Sequence, residues 1–422
     1  MMCRTKKTNS MNLKKVYLLT IILGFATVVS AQTKSPYSRY GLGNFRSNGS
    51  ERVRTMGGAG IAMQNKTDVN NVNPSALVAM DSSAVLFDIG FHINASNFSE
   101  GGTNETVYSG NLDYVSLMIP MHKRWFVSAT LQPITSVGYN INSVKSYNGS
   151  DPASYYSVNY VGTGGMSLAS LTNSFKLPWG ISLGAEVGFL WGNHSETITE
   201  YYSGLDISSS TRENTYYHNG LWVSTGAQYK LSFDKSYFIL GAKYDVSTKL
   251  SSQLESEIES SQTTIDEYTS KTTSNSMPQG YGIGLSYNYN NKLTISTDYS
   301  TKEWESSNLG IDAQRLIDNH AFSLGAEFLP NYNSNKYIDR VAYRGGIHYE
   351  TGSFLVLGDP VQKGYVSFGV GLPGRVSTTL VNVGVEIGTI GGFNGKHLTE
   401  TYGQLNVGLN LGEIWFVKPK FW

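Results

Sequence analysis

Along most of the chain, apolar and polar side chains alternate one for one. From Val85 to Asn94 the apolar set is Val85, Phe87, Ile89, Phe91 and Ile93, interleaved with Leu86, Asp88, Gly90, His92 and Asn94. Ile181, Leu183, Ala185, Val187 and Phe189 oppose Ser182, Gly184, Glu186 and Gly188 in the same way. Val381, Val383, Val385 and Ile387 oppose Asn382, Gly384, Glu386 and Gly388, and Leu405, Val407, Leu409 and Leu411 oppose Gln404, Asn406, Gly408 and Asn410. Successive side chains of a strand point to opposite faces, so a period of two predicts strands with one apolar and one polar face. A soluble sandwich buries that apolar face, whereas a membrane barrel turns it to lipid.

The connections separate these two architectures. Tight ones at 120–125, 176–180, 231–236, 288–292 and 372–376 take turns with longer polar ones at 97–110, 138–160, 193–218, 250–278, 302–318 and 351–363. A membrane barrel sorts its connections by end, and a sandwich has no reason to do so. The expected fold is therefore all-β, an antiparallel transmembrane β-barrel of about fourteen strands. The segment 329–340 is longer than a tight turn should be. The Ser-, Thr- and Glu-rich stretch 251–277 reads as a solvated, mobile outer loop.

Composition adds to this. The 422 residues include 45 Gly and 28 Tyr, which suits many strands, turns and aromatic girdles. Charged residues are 15% and the formal net charge is +0, so the basic excess of a nucleic-acid partner is absent. Residues 1–31 read as a cleaved signal peptide: Lys14 and Lys15, an apolar run from Val16 to Val29, then Val29-Ser30-Ala31 before Gln32. Met11 lies closer to those lysines than Met1 and suits the start of such a signal. The apolar run is about 14 residues, short for a bilayer span, and no other segment approaches the roughly 20 needed. An exported chain in a membrane is then there as a closed barrel. Cys3, the single cysteine, falls in the discarded part, which leaves no thiol for a disulfide, a metal or a nucleophile.

Motifs of chemistry are weak. Gly369 to Gly374 spells G-x-G-x-x-G, but Pro373-Gly374 makes a turn toward another strand, where a dinucleotide site needs a helix. The seven histidines show no metal-ligand spacing, and no G-x-S-x-G elbow occurs. His92 and His348 fall on polar faces, turned from the lipid side where a barrel phospholipase keeps its Ser–His pair. No catalytic residue, metal ligand or cofactor is expected.

Residues 32–82 precede the barrel proper, 83–422. "MGGAGIAM" and "NPSALVAM" are compact and apolar, unlike a disordered arm. A segment entering a wide barrel has the lumen as its enclosed space, so 32–82 is expected to form a plug there. Lumen-facing carboxylates need partners where water is scarce. Arg39, Arg46, Arg52 and Arg54 of the segment face Glu186, Glu327, Glu350 and Glu386, with Arg344 beside them. At least one arginine–glutamate pair is expected to fix the plug.

"MGGAGIAMQNKTDVNNVNPSAL" (56–77) resembles the N-terminal signature of the FadL/TodX outer-membrane transport proteins. There "MGGAG" is followed by "NPA", for which this chain has Asn73-Pro74-Ser75. "SPYSRYGLGNF" (35–45) resembles the start of Bacteroidota members. "LGAEVGF", "HAFSLGAEF", "YRGGIHYE" and "LNVGLNLGEIWFVKPKF" extend the likeness in order along the chain, and the terminal Phe421-Trp422 suits an outer-membrane barrel. The resemblance implies a fourteen-stranded barrel with an N-terminal hatch that includes Arg52, Arg54, Gly57, Gly58, Gly60, Asn73 and Pro74. It implies passive uptake of hydrophobic or amphipathic small molecules across the bacterial outer membrane, with a lateral gate at a kink in the third strand. That strand is expected over 125–139, and Pro133 within it lacks a ladder donor. The implied partners are outer-membrane lipid and a hydrophobic ligand. The alternative is a structural or accessory barrel of an outer-membrane secretion or barrel-assembly complex, with other outer-membrane proteins as partners. An open general porin is disfavoured by the plug.

Overall fold

The structure is a computed structural model that describes residues 35–46, 49–100, 102–146, 155–202, 209–260, 263–307, 316–374, 379–391 and 398–414. The signal expected at 1–31, Cys3 and the terminal Phe421-Trp422 lie outside the described residues.

Fourteen antiparallel strands form one closed sheet among the described residues. They are β1 (Ala84–Glu100), β2 (Thr103–His122), β3 (Trp125–Pro133 with Thr135–Ser146), β4 (Tyr155–Lys176), β5 (Ile181–Tyr202), β6 (Ser210–Ser232) and β7 (Ser236–Asp245 with Lys249–Ser260). β8 (Thr263–Ser276 with Gly280–Tyr289), β9 (Leu293–Lys302), β10 (Asn319–Phe328), β11 (Ala342–Glu350), β12 (Gln362–Pro373), β13 (Leu380–Gly391) and β14 (Thr399–Ile414) follow. Pairing of β1 with β14, from Ala84↔Ile414 to Ser99↔Thr399, closes the barrel. Closure pairs the backbone of neighbouring strands around the barrel, except where β2 and the second piece of β3 part. The alternation keeps its expected sense: Leu183, Val187 and Phe189 are exposed on the outside, and Ser182 and Glu186 are buried within. No helix among the described residues is long and apolar enough to cross a membrane.

Strand lengths depart from the sequence reading. β9, β10 and β11 have 10, 10 and 9 residues, just enough for a bilayer. β4, β5 and β6 have 22, 22 and 23. Much of the sequence assigned to the long connections 97–110, 138–160, 193–218 and 250–278 is regular hairpin. The stretch 251–277, read as a mobile loop, is mostly the ladder between Lys249–Ser260 and Thr263–Ser276. Beyond the bilayer neither face of a strand meets lipid, so both are polar and the two-residue hydrophobic period vanishes. Segment 329–340 stays at the short-turn end and folds into a 3-10 turn at Tyr337–Arg340.

The third strand also differs. It breaks at Ile134, directly after Pro133, and resumes to Ser146. Its first piece pairs with β2 up to Val115↔Leu131, and its second piece pairs with β4 from Val137↔Gly164 to Ser146↔Tyr155. Residues 103–114 of β2 pair with β1 alone among the described residues.

Candidate functional site

The N-terminal segment lies against the inner wall, and glycines make room for it. Five directly opposed glycine pairs line that wall: Gly90/Gly408, Gly369/Gly384, Gly325/Gly346, Gly241/Gly284 and Gly184/Gly226. A Cβ at Gly346 or Gly325 would fall on the backbone of Met56 and Gly57. At Gly369 or Gly384 it would meet Thr55, at Gly241 the carbonyl of Ile61, at Gly184 Pro74, and at Gly226 Asn73. Missing side chains thus let two backbones touch. Where a wall strand lacks glycine it offers a small side chain, such as Ser116, Ser128 or Ser174, all fully buried.

The segment's own shape follows from its residues. α1 (Glu51–Thr55) is one turn long, and Gly57 and Gly58 end it at φ +66° and +82°, where a side chain would be strained. Pro74 opens a 3-10 turn, Pro74–Ala79. The Asn73 side chain accepts from Ser75 N at 3.1 Å and donates to Ile61 O at 2.7 Å. Val69, Leu77, Val78 and Met80 pack with the inward Leu86, Met118 and Phe126 of β1 to β3.

Four charged anchors tie segment to wall. Arg52 Nη2 meets Glu327 Oε1 at 2.5 Å, and Arg344 Nε donates to Glu327 Oε2 at 2.7 Å, so one buried carboxylate holds two guanidiniums. Arg54 Nη2 lies 3.1 Å from Asp113 Oδ1, and Arg46 Nη1 lies 3.8 Å from the same atom. Asp113 is the extra residue of a bulge, since Gly90 pairs with Tyr114 and Phe91 with Leu112. A bulge redirects a side chain, and this one aims a carboxylate inward. Asp298 Oδ2 accepts from Gly60 N at 2.6 Å and Ile61 N at 2.8 Å. Asp88 Oδ2 accepts from Val69 N at 3.0 Å. Glu51 is wholly buried and both its carboxyl oxygens lack a hydrogen-bond partner. Burial pushes its carboxyl well above the usual range, outweighing Arg54, whose Nε is 3.8 Å away.

Higher in the barrel, residues 35–46 run along the edge of the second piece of β3 that β2 leaves unpaired. Asn44 and Phe45 pair with Ser136 and Thr135. Ser35 N donates to Gly138 O at 2.7 Å, and Arg46 N to Ile134 O at 2.9 Å. Arg46 Nη1 reaches Leu112 O of β2 at 3.4 Å. The interruption after Pro133 is therefore bridged by the chain's own N-terminal strap.

Inside the wall, Leu42 and Ile134 pack with Met166, Leu168, Leu190, Trp222, Leu250, Met277, Trp304 and Leu316. Beside this cluster lies a cavity of about 290 Å³, lined by Lys243, Lys302, Lys363, Asp298, Glu350 and Phe45 among others.

Of the residues picked from sequence, the structure joins Arg52, Glu327 and Arg344. Gly57, Gly58, Gly60, Asn73 and Pro74 form the seated backbone, and Pro133 borders the break in β3. Three glutamates bond elsewhere: Glu186 accepts from Trp222 Nε1 at 3.1 Å, Glu386 from Tyr402 OH at 2.6 Å, and Glu350 from Asn319 Nδ2 at 3.5 Å. Sequence reasoning missed Asp88, Asp113 and Asp298 as anchors, though Asp88 stood on a polar face of the alternation. It also missed the inward apolar cluster. Among the described residues no group of three or more His, Cys, Asp or Glu is arranged for a metal.

A closed fourteen-stranded barrel of this kind, entered by an N-terminal segment, has the fold of the FadL/TodX-like barrels. Its architecture is similar to a CymD monoaromatic hydrocarbon channel, with a TM-score of 0.59 and 14% identity over 87% of this chain and 98% of that one. It is similar to the Ralstonia pickettii toluene transporter TbuX (TM-score 0.56, 14% identity, 86% and 98% covered). A Pseudomonas aeruginosa FadL homologue gives 0.59 at 10% identity, covering 89% and 99%. At these identities the likeness is one of fold. No curated protein matches the sequence. The BamG family matches residues 12–422, and the chain belongs to that family.

Proposed function

We propose that the chain is a sealed structural barrel of the bacterial outer membrane, a subunit of a barrel-assembly or secretion complex. One observation carries this reading: the N-terminal segment is fastened to the inner wall at four buried carboxylates. A pocket for apolar molecules is predominantly apolar and open to a ligand. Here the inward apolar side chains pack on one another, and the cavity beside them has a mixed lining in which Lys243, Lys302, Lys363, Asp298 and Glu350 stand among Phe45, Ile61, Trp304, Phe354 and Tyr365. The N-terminal segment acts as a fixed hatch, held by buried ion pairs that are costly to break. Membership of the BamG family is compatible with this role.

A second reading, passive uptake of hydrophobic small molecules, is favoured by the interrupted third strand and its strap, the place where a lateral gate would open. Affinity purification from native membranes in mild detergent separates the two. The subunit reading expects fixed stoichiometric outer-membrane partners. A lone barrel, together with slowed uptake of a hydrophobic probe on gene deletion, would favour the channel.

A further inference from the structure

Strands β3 to β8 continue far past the bilayer, whereas β9 to β11 stop at it. The excess lies wholly at the long-hairpin end. Gly184 is three residues above the start of β5 and Gly346 four above that of β11, yet β5 runs to Tyr202 and β11 only to Glu350. About 12 extra residues at 3.3 Å, tilted as barrel strands are, raise a one-sided wall roughly 30 Å above the rest. Barrel closure does not require it, and loops would serve for solubility, yet this wall is regular sheet.

Its two faces differ. Tyr216, Ser252, Leu254 and Ile258 share the inner face. On the outward face stand Glu213 of β6 and Glu255, Glu257 and Glu259 of β7, with Glu213, Glu257 and Glu259 exposed. Register puts Glu257 directly opposite Glu213. Like charges directly opposed on neighbouring strands repel. That pair spans about 5 Å across the strands, and Glu255 to Glu259 span about 14 Å along one. That area is too wide for a single ion and suits several lysine or arginine side chains.

We propose that the outward face of this wall docks a partner protein through a lysine- and arginine-rich surface outside the cell. The idea rests on the subunit reading above. The test uses the full chain purified from native membranes, treated with a carbodiimide that joins carboxylates directly to amines. Cross-links from Glu257 or Glu259 to lysines of a co-purifying protein are expected. The triple variant Glu213→Lys, Glu257→Lys, Glu259→Lys should keep a heat-modifiable folded barrel and lose that protein at least tenfold, while other co-purifying proteins remain. Unchanged stoichiometry in the variant overturns the docking face and leaves the subunit reading intact. Loss of bound lipopolysaccharide in place of a protein overturns it as well. A wild-type chain that purifies alone removes the subunit reading, and the docking face with it.

Discussion

Gly345 and Gly346 are neighbours on β11 with opposite surroundings, and together they isolate the contact that seats the N-terminal segment. A Cβ at Gly346 lands within 3 Å of backbone atoms of Met56 and Gly57, which no flexible side chain can relieve. A Cβ at Gly345 meets nothing closer than 3.7 Å. Replacing either glycine by alanine removes freedom from the unfolded chain, worth about 0.4–1 kcal/mol of stabilisation in both. Overpacking costs about 1–3 kcal/mol and applies to Gly346 alone. Gly345→Ala should therefore equal or slightly exceed the wild type in urea midpoint. Gly346→Ala should fall below Gly345→Ala by about 1–3 kcal/mol, roughly tenfold in equilibrium constant for each 1.4 kcal/mol. Trypsin supplies a second readout, because seating of the segment buries Arg54 and covers most of Arg52; cleavage there should accelerate in Gly346→Ala. Equal midpoints and equal protease protection in the two variants would refute the seat.

Glu327 also holds Arg344, so the two sides of the Arg52–Glu327 pair are not equivalent. Glu327→Gln takes the carboxylate from two guanidiniums and should cost about 3–5 kcal/mol; Arg52→Met leaves Glu327 paired with Arg344 and should cost less, and the double variant should cost less than the sum by about 0.5–3 kcal/mol in a urea double-mutant cycle. Glu51 is held uncharged in the fold, whereas the unfolded chain ionises it near pH 4.3. The unfolded state then binds fewer protons, so this group lowers stability as pH rises above that value. Glu51→Gln should match wild type in urea midpoint at pH 4 and exceed it at pH 8, and equal gaps at both would contradict the assignment. Asn73→Ala removes a cap and should cost about 1–2 kcal/mol by thermal unfolding; Ile61 O keeps a second donor in Gln228 Nε2 at 2.8 Å, so no larger loss is expected.

The membrane band was legible because lipid demands an apolar face at every second residue. Leu183, Val187 and Phe189, interleaved with Gly184 and Glu186, assign the two faces of β5 with no help from the rest of the fold. The wall was not legible: with water on both faces, Glu255, Glu257 and Glu259 alternate only with Ser256 and Ile258, and composition alone reads as loop. Leu168, Leu190, Trp222 and Leu250 stood at inward positions, but an apolar residue there leaves no signal that it packs inside. The third strand's break was flagged by Pro133. Sequence could not place it at Ile134, because the strap that takes over the pairing comes from residues about ninety positions earlier. The arginine anchors needed a carboxylate, and which carboxylate was decided by a bulge at Asp113 that no local pattern announces.

The mass of the native particle tests the central claim most directly. Native mass spectrometry of the chain extracted in mild detergent should find it in a defined assembly, each barrel bound to other outer-membrane proteins in fixed ratio. A dominant peak at the mass of the single mature barrel would contradict the account.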